Sequence, residues 1–546
     1  MLRGGLVLLL YMGACSGSSA SAPPLTAVPR TLTLIATAEI NGTPEPCGCQ
    51  SDPLGDVARV ATLVKQADKA AAGHGGALLV DAGGLRFGIA PLSATLRKQA
   101  ELKADFLEKT WSELHACVGL GDEDVRFSPA SAPPANARLC SNASGAPLRP
   151  ALVTDVGGIK VGVLALLDPD LSVPPPYVVS DMIPAATRDV AKLRAEGAQV
   201  IVALVHATRP SVRKVLRAVP GITVAVVGED NTEQGGIAEV FNGTIIVQPA
   251  EQAEKVAVVE LRLSADGRVG TTLFASAEDR AVRTARIEQR VKILDEELAA
   301  YAKDAHADPA FVSARKREQK SLLDEKQSLA GVTDTPPPLP FAMARLVPLN
   351  RKLARDPGVE AALKKFNHDV AEANRAAGEK IPVPQPDPGE PGYIGVEACG
   401  DCHQHEAAAD FWKTTVHAHA WKTIVDVDKQ WSFDCISCHT TGYGQKGGSA
   451  MAHVDGLTDV QCEVCHGPGS LHAAKPKVVK MPVIAPDQRV CKTCHTPEHS
   501  DTFSYEAYLR DILGPTHGAK KRAALGEGPT GHALRTAALE RAKSAP

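Results

Sequence analysis

Four copies of one cysteine motif lie in the last third of the chain, and they constrain its fold more than any other feature. Each copy reads Cys-x-x-Cys-His, at residues 399–403, 435–439, 462–466 and 491–495. In covalent haem attachment, two thiols at this spacing form thioethers with the vinyl groups of one porphyrin, and the adjacent His reaches the iron. A single copy would also suit a redox dithiol or half of a zinc site. Four copies, each with its adjacent His, favour haem.

The motifs therefore predict four covalently bound haem c groups and assign residues to them. The thioether thiols are Cys399, Cys402, Cys435, Cys438, Cys462, Cys465, Cys491 and Cys494. The proximal iron ligands are His403, His439, His466 and His495.

Histidines are in surplus around these motifs. Eleven of the chain's 17 His lie between residues 393 and 518, so seven remain after the proximal ligands: His405, His417, His419, His453, His472, His499 and His517. A distal ligand must approach the opposite face of the porphyrin. His405 and His499 follow a proximal His too closely to do so for the same haem. If they bind iron, it must belong to a neighbouring haem.

The motif flanks resemble multihaem cytochromes of the cytochrome c-554 type. The segments that carry the resemblance are FWKTTVHA at 411–418, CHTTGY at 438–443, CHGPGSLH at 465–472 and CHTPEHS at 494–500. The resemblance implies a mostly helical domain organised by its haems, with His417 and His472 as distal ligands. His499 and His517 are the next candidates. The others are expected to face solvent or to lie near an iron without binding it: His405, His419 and His453.

Iron coordination decides what such a domain can do. Iron with two His ligands has no free position, so it transfers electrons and binds no substrate. In the resembled family one haem can be five-coordinate, and some relatives act on small nitrogen compounds. The sequence does not indicate which haem, if any, is open. We therefore expect an electron carrier. The alternative is a multihaem oxidoreductase with one open haem that acts on a small nitrogen or sulfur oxo-compound.

The amino terminus predicts export. Arg3 precedes a short apolar run at residues 6–11, and small residues then lead to Cys15. Met12-Gly13-Ala14-Cys15 resembles the bacterial lipobox, so residues 1–14 are interpreted as a lipoprotein signal peptide and 15–30 as a tether. An ordinary signal peptide cut after Ala20 or Ala22 is the alternative. We expect a periplasmic or cell-surface lipoprotein, anchored to a bacterial membrane through lipidated Cys15.

The expected partners follow from this location. They are redox proteins, either quinol-linked or periplasmic and outer-membrane cytochromes. A net charge of −4 gives no broad basic face, so nucleic acid is not expected as a partner.

Residues 31–275 predict a layered α/β domain. Unbroken Val, Ile and Leu runs, typical of strands buried on both faces, alternate with helical patterns such as 56–69 and 185–196. The predicted strands are 32–36, 77–82, 151–156, 161–167, 200–206, 222–228, 244–248 and 256–263.

The order of motifs in this domain resembles the calcineurin-like metallophosphatase domain of 5′-nucleotidases. The matching segments are 36–42, 55–59, 79–84, 119–124, 205–206 and 227–231. Most metal-binding residues of that family are replaced, by Glu39, Asn41, Gly84, Asp122, Glu123, Asp124, Glu229, Asp230 and Asn231. Of the metal-binding His, only His206 has a counterpart. We expect an inactive domain used for binding or docking, although five carboxylates could hold Ca²⁺ or Mg²⁺: Glu39, Asp122, Asp124, Glu229 and Asp230. A metallophosphoesterase with an attached redox domain is the third functional alternative.

The rest of the chain reads as connecting segments. Apolar residues at heptad-like spacing predict a helical hairpin over 276–332, and 333–392 reads as a Pro-rich linker that contains a helix at 359–377. The haem domain spans 393–520. Residues 521–546 form a basic, Ala-rich tail that we expect to be frayed.

Four cysteines remain outside the haem motifs and the lipidation site: Cys47, Cys49, Cys117 and Cys140. An even number in an exported protein favours disulfides. Cys117 with Cys140 is the simplest pair. Bonding between Cys47 and Cys49 would be strained, so cross-pairing stays open, and free buried thiols are the alternative. The Cys47-Gly48-Cys49 segment lies where an active-site loop would be, as a disulfide anchor or a reactive thiol pair.

Overall fold

A computed structural model describes residues 29–88, 94–126, 138–145, 148–229, 236–275, 277–302, 309–330, 335–403, 407–496 and 499–544. The signal peptide, Cys15, His405, Asp230 and Asn231 lie outside the described residues. Within the described ranges, no helix combines the length and the apolarity needed to cross a membrane.

The amino-terminal domain contains two β-sheets. The strands are β1 (Thr31–Thr37), β2 (Gly75–Asp81), β3 (Cys117–Val118), β4 (Ala143–Ser144), β5 (Ala151–Val156), β6 (Ile159–Leu167), β7 (Val178–Val179), β8 (Val200–His206), β9 (Val224–Gly228), β10 (Gly236–Phe241), β11 (Thr244–Gln248), β12 (Lys255–Arg262) and β13 (Phe341–Pro348). One sheet has the order β13-β12-β1-β2-β3 and the other β10-β11-β9-β8-β6-β5, while β4 and β7 pair separately. In the first sheet β1, β2 and β3 are parallel, and in the second β6, β8, β9 and β11 are parallel.

The two sheets pack face to face, with helices on their outer faces. The period of two along β1 explains the layering: Leu32, Leu34 and Ala36 join the core between the sheets, whereas Ile35 joins the outer core. The helices of this part are α1 (Val57–Ala71), α2 (Ala94–Glu113), α3 (Glu123–Arg126), α4 (Met182–Ala195), α5 (Arg209–Ala218), α6 (Ala277–Tyr301), α7 (Pro309–Ala330) and α8 (Pro357–Gly378). The predicted layered α/β fold is confirmed.

The helical hairpin is also confirmed, as α6 and α7, with Ile287 and Leu294 buried. The segment after it differs from the expected linker. Strand β13 pairs with β12 in antiparallel register from Lys255↔Pro348 to Arg262↔Phe341, and α8 contributes Leu363 to the core beside α1 and α2. The hairpin is therefore inserted between two neighbouring strands of one sheet. Strand β13 was not predicted from the sequence because it is an edge strand, which is only partly buried, and because several prolines precede it.

The carboxy-terminal domain is built from short helices, as predicted. They are α9 (Gly395–Cys402), α10 (Ala408–Lys413), α11 (Ala420–Val425), α12 (Ile436–His439), α13 (Cys462–His466), α14 (Ser470–Ala474), α15 (Gln488–Cys491), α16 (Tyr505–Ile512), α17 (Ala519–Ala524) and α18 (Gly531–Ser544). Its described apolar core is small, with Ile436, Met451 and Val454 buried. The expected frayed tail is wrong: α18 packs on α16, and Arg535 donates to Ser51 Oγ at 3.2 Å and to Asp501 Oδ1 at 3.0 Å.

The expected Cys117–Cys140 disulfide is also wrong. Cys117 faces the core between the sheets, whereas Cys140 packs with Leu120 and Val125 in a separate cluster, so both are free buried thiols. A disulfide joins Cys47 to Cys49 instead.

Candidate functional site

Three pairs of His rings lie close together in the carboxy-terminal domain, although each pair is distant in sequence, and the His466–His517 pair meets edge to face. The ring centroids of His403 and His472 are 6.5 Å apart, those of His417 and His495 are 6.3 Å apart, and those of His466 and His517 are 6.1 Å apart. Each pair joins one proximal His of a haem motif to one of the expected distal ligands.

These separations suit an iron atom between each pair. Two imidazoles that bind one metal through nitrogen at about 2 Å place their ring centres roughly 6 Å apart. The residues present therefore fit three haem irons with two His ligands each.

Hydrogen bonds to Nδ1 fix the orientation of several of these rings. His466 Nδ1 lies 2.8 Å from the carbonyl oxygen of Val483, His472 Nδ1 lies 2.7 Å from that of Val479, and His517 Nδ1 lies 3.0 Å from that of Ile512. A carbonyl only accepts, so the proton resides on Nδ1 and the lone pair on Nε2 is available to a metal. Burial lowers the pKa of His417 to about 4, so this ring is also neutral near pH 7.

His439 differs from the other proximal ligands. Its Nδ1 donates to the carbonyl oxygen of Ala420 at 2.6 Å, which also leaves Nε2 for a metal. Within the described residues, however, no second His ring stacks opposite it. His499 lines the same cavity as His439, with its Nδ1 bonded to Thr496 Oγ1 at 2.8 Å, but its ring does not pack against that of His439. Of the four expected distal ligands, the structure sets three opposite a proximal His and leaves His499 aside.

The two remaining described His candidates lie apart from these pairs. His419 is exposed and His453 is half-buried, and neither ring contacts a proximal His in the described ranges.

The thioether cysteines also fall into neighbouring groups. The thiol groups of Cys399 and Cys462 lie close enough to interact, and so do those of Cys438 and Cys494. The first and third attachment motifs are therefore adjacent, as are the second and fourth.

A cavity of about 1340 Å³ opens beside the second and fourth motifs. Its lining includes Cys435, Cys438, His439, Cys494 and His495. The amino-terminal domain closes part of the same cavity with residues 45–49.

A second cluster of functional groups lies at the carboxyl ends of the parallel strands in the amino-terminal domain. His206, at the end of β8, is fully buried. Its Nε2 lies 3.1 Å from Asp122 Oδ1, and its Nδ1 lies 3.2 Å from Glu39 Oε1 without the alignment of a hydrogen bond. Burial acts to lower the pKa of His206, but Glu39 and Glu123 outweigh it, and the pKa is raised well above its ordinary value.

Four groups of this cluster can together hold one cation. Ligand atoms of Glu39, Glu123, His206 and Glu229 all lie within 4.8 Å of one another. Arg126 already places a guanidinium against Asp122 and lies 3.6 Å from Glu123. Without a cation, protonated His206 and Arg126 supply the positive charge of this cluster, and His206 would have to lose its proton to bind a metal.

Sequence reasoning named Asp122 and Asp124 here but assigned no role to Glu123 or Arg126. The carboxylate of Asp124 is not part of the His206 cluster. It accepts hydrogen bonds from the backbone N–H groups of Arg86 and Gly121, each at 2.9 Å. Three consecutive acids at the start of a short helix give no sequence signal of which one faces the site.

Comparisons with known proteins match the two halves of the chain separately. The model of the family "Cytochrome c554 and c-prime" matches residues 398–467. Cytochrome c-554 of Nitrosomonas europaea is 37% identical over 93 residues, which cover 14% of this chain and 39% of that protein. The match thus spans well under half of the relative. The resemblance predicted from the motif flanks is confirmed for this segment.

Solved structures similar to the chain include a 5′-nucleotidase and a calcineurin-like phosphoesterase. The 5′-nucleotidase precursor of Thermus thermophilus is 18% identical, with a TM-score of 0.43 over 65% of this chain and 61% of that chain. A calcineurin-like phosphoesterase of Bacillus subtilis is 19% identical, with a TM-score of 0.36 over 44% of this chain and 88% of that chain. These are the protein classes that the motif order resembled.

Proposed function

We propose that this chain carries electrons through four covalently attached c-type haems. The single observation that carries the proposal is the set of three facing His pairs, each containing the His of one attachment motif. When bound, haem supplies one-electron chemistry at iron. The chain's own residues hold that group in place: the cysteines fix it covalently, and imidazoles with Nδ1 committed to carbonyls present Nε2 to the metal.

The arrangement of thiols supports transfer within the chain. Cys399 meets Cys462, and Cys438 meets Cys494, so groups attached at these positions are held side by side. Electrons entering at one member of a pair have a short path to the other. The partners are redox proteins, either quinol-linked or periplasmic and outer-membrane cytochromes.

Location is part of the same proposal. The chain is an exported lipoprotein, held at a bacterial membrane through Cys15. The apolar run at 6–11 and the lipobox-like segment before Cys15 support this assignment.

A second candidate function rests on His439. No His ring lies opposite it among the described residues, and it lines the large cavity. A haem held by Cys435, Cys438 and His439 would have no second His ligand from the described residues, so this site is the place where an oxidoreductase activity toward a nitrogen or sulfur oxo-compound would occur.

The amino-terminal domain acts in docking rather than in phosphate-ester hydrolysis. A two-metal hydrolase needs two cations held by His and carboxylate ligands. Here one described cluster suits one cation, and its single His is already paired with Asp122. The domain instead contributes contacts to the haem domain.

Spectroscopy of the purified full-length protein tests both functions. We expect four haems per chain by pyridine haemochrome assay and mass analysis, three low-spin irons, and CO binding at one. Four low-spin irons with no CO binding would support the electron-carrier function and rule out the oxidoreductase function. Apoprotein, or zinc in place of iron, would overturn the proposal as a whole.

A further inference from the structure

The Cys47–Cys49 disulfide lies on the wall of the cavity that contains two haem attachment motifs. Cys47, Gly48 and Cys49 line this cavity together with Cys438 and His439. The disulfide belongs to the amino-terminal domain, whereas the haem motifs belong to the carboxy-terminal one. Two kinds of redox group, from opposite ends of the sequence, therefore share one enclosed space.

One end of the disulfide loop is fixed by Glu45. Its carboxylate accepts from Lys429 Nζ at 2.9 Å, from Arg355 Nη2 at 2.9 Å and from Asn367 Nδ2 at 2.7 Å. Burial acts to raise the pKa of Glu45, but Lys429, Asn367 and Arg355 outweigh it and the pKa is lowered. Glu45 is thus ionised, and it binds the loop to the segment that leads into Cys435.

The other end is fixed by the residues after Cys49. The backbone N–H of Ser51 donates to the carboxylate of Asp501 at 3.2 Å, and Arg535 donates to the Gln50 carbonyl at 2.9 Å. Asp501 follows Ser500, whose hydroxyl lies 3.0 Å from Nδ1 of the proximal ligand His495. Both anchors of the loop are therefore directly connected to haem-binding segments.

A structural role does not explain this disulfide. The entropic stabilisation from a cross-link grows with the length of the loop it closes, and this bridge spans a single residue. Cys47 is exposed and Cys49 is half-buried. Exposed disulfides are the ones that exchange readily with other redox couples.

We propose that Cys47 and Cys49 form a dithiol–disulfide centre that exchanges electrons with the haem held at Cys435, Cys438 and His439. Reduction breaks the S–S bond. It takes two electrons, one at a time from ferrous c-type haem, and two protons from solvent, and it leaves two thiols and two ferric irons. This inference rests on the proposed function, and it adds to the haems a disulfide centre that accepts two electrons.

The acceptor for this centre is a disulfide-bearing molecule. Exposed Cys47, as thiolate, attacks one sulfur of that disulfide and releases the first acceptor thiolate. Cys49 then attacks the Cys47 sulfur, which releases the second acceptor thiolate and restores the Cys47–Cys49 bond. Cys47 is the attacking residue because it is the more exposed of the two.

In the experiment, full-length, haem-loaded protein is held at a set potential at an electrode with mediators, and haem reduction is followed by absorbance. Each sample is then quenched in denaturant that contains N-ethylmaleimide, which labels free thiols. Peptide mass analysis counts the labels. We expect labels on Cys47 and Cys49 only after haem reduction. Cys117 and Cys140 are free thiols, so after denaturation they take up label in every sample and report complete labelling.

Two variants make the result decisive. Replacing Cys435 and Cys438 by Ser removes one haem, and labelling of the pair should fall at least tenfold at matched potential and time. A Cys47→Ser, Cys49→Ser variant should take up two fewer electrons per chain in a reductive titration, which needs no haem removal. Reduced haems with an unlabelled pair and equal electron uptake would overturn this inference alone, whereas absence of haem would overturn the proposed function.

Discussion

Glu45 and Lys429 form an ion pair of 2.9 Å that joins the amino-terminal domain to the haem domain. The side chains are 17% and 23% exposed, so the pair is shielded from water on most sides. Because Lys429 leads into the second attachment motif, this contact sets the position of the disulfide loop over the cavity.

The first prediction concerns the strength of that ion pair. In a double-mutant cycle with Glu45→Gln and Lys429→Gln, we expect a coupling free energy of about 1–3 kcal/mol, since the pair is shielded from water and removing Glu45 leaves the Lys429 ammonium without its carboxylate. Chemical denaturation followed by haem absorbance measures it. The matched control is the exposed Glu360–Lys364 pair on α8, 3.8 Å apart, where the coupling should stay below about 0.5 kcal/mol. Equal couplings would contradict the prediction.

The second prediction separates the distal ligands. His472→Ala removes the ring opposite His403, so one iron should change from low-spin to high-spin and gain CO binding. Electron paramagnetic resonance and CO titration measure the change. His499→Ala is the control, because His499 faces no proximal His; it should leave the number of low-spin irons unchanged. The assignment fails if the two variants have the same spectra.

The third prediction concerns pH. Asp81 is fully buried, and burial raises the pKa of its carboxyl to about 6. Its folded-state pKa therefore lies above the unfolded value, so its stabilising contribution is complete below about pH 4 and is lost as pH rises to 6. The free energy of unfolding should fall by about 3 kcal/mol across this window.

Asp81→Asn keeps the side-chain shape without the titrating proton. The difference in unfolding free energy between the wild-type protein and this variant should change across pH 4 to 6 and be constant above about pH 7. A difference that does not vary with pH would show that Asp81 titrates normally.

The fourth prediction concerns Gly84, which stands where the resembled phosphatases have an Asp. A Cβ atom at Gly84 would lie 2.5 Å from Glu39 Oε2, and its φ is +71°. Gly84→Ala should lower the free energy of unfolding by about 2–3 kcal/mol, because backbone strain adds to displacement of a held carboxylate.

The control for this substitution is Gly73→Ala. Gly73 has a φ of +84° but has nothing within 4 Å of its Cβ position, so it measures backbone strain alone, about 1 kcal/mol. Thermal unfolding of both variants gives the difference. If both variants lost the same free energy of unfolding, Glu39 would be able to move away from position 84 without destabilising the fold.

Some elements were predictable because their signal is local. Strand β8 occurs at the predicted residues, since its unbroken apolar run leaves little choice of burial. Strand β13 was missed because its edge position, set by pairing with β12, leaves no such run. Helix α18 was missed because its contacts with α16 and with Gln50 lie far away in sequence.

The sequence by itself determined the haem chemistry, because thioether spacing and the adjacent His are a property of five consecutive residues. Only the tertiary structure decided which His faces which, that His439 has no ring opposite it among the described residues, and that Cys47 bonds Cys49 beside the second motif. The physical reason is distance along the chain. Ligand pairs and cavity walls come from segments tens to hundreds of residues apart, and packing alone brings them together.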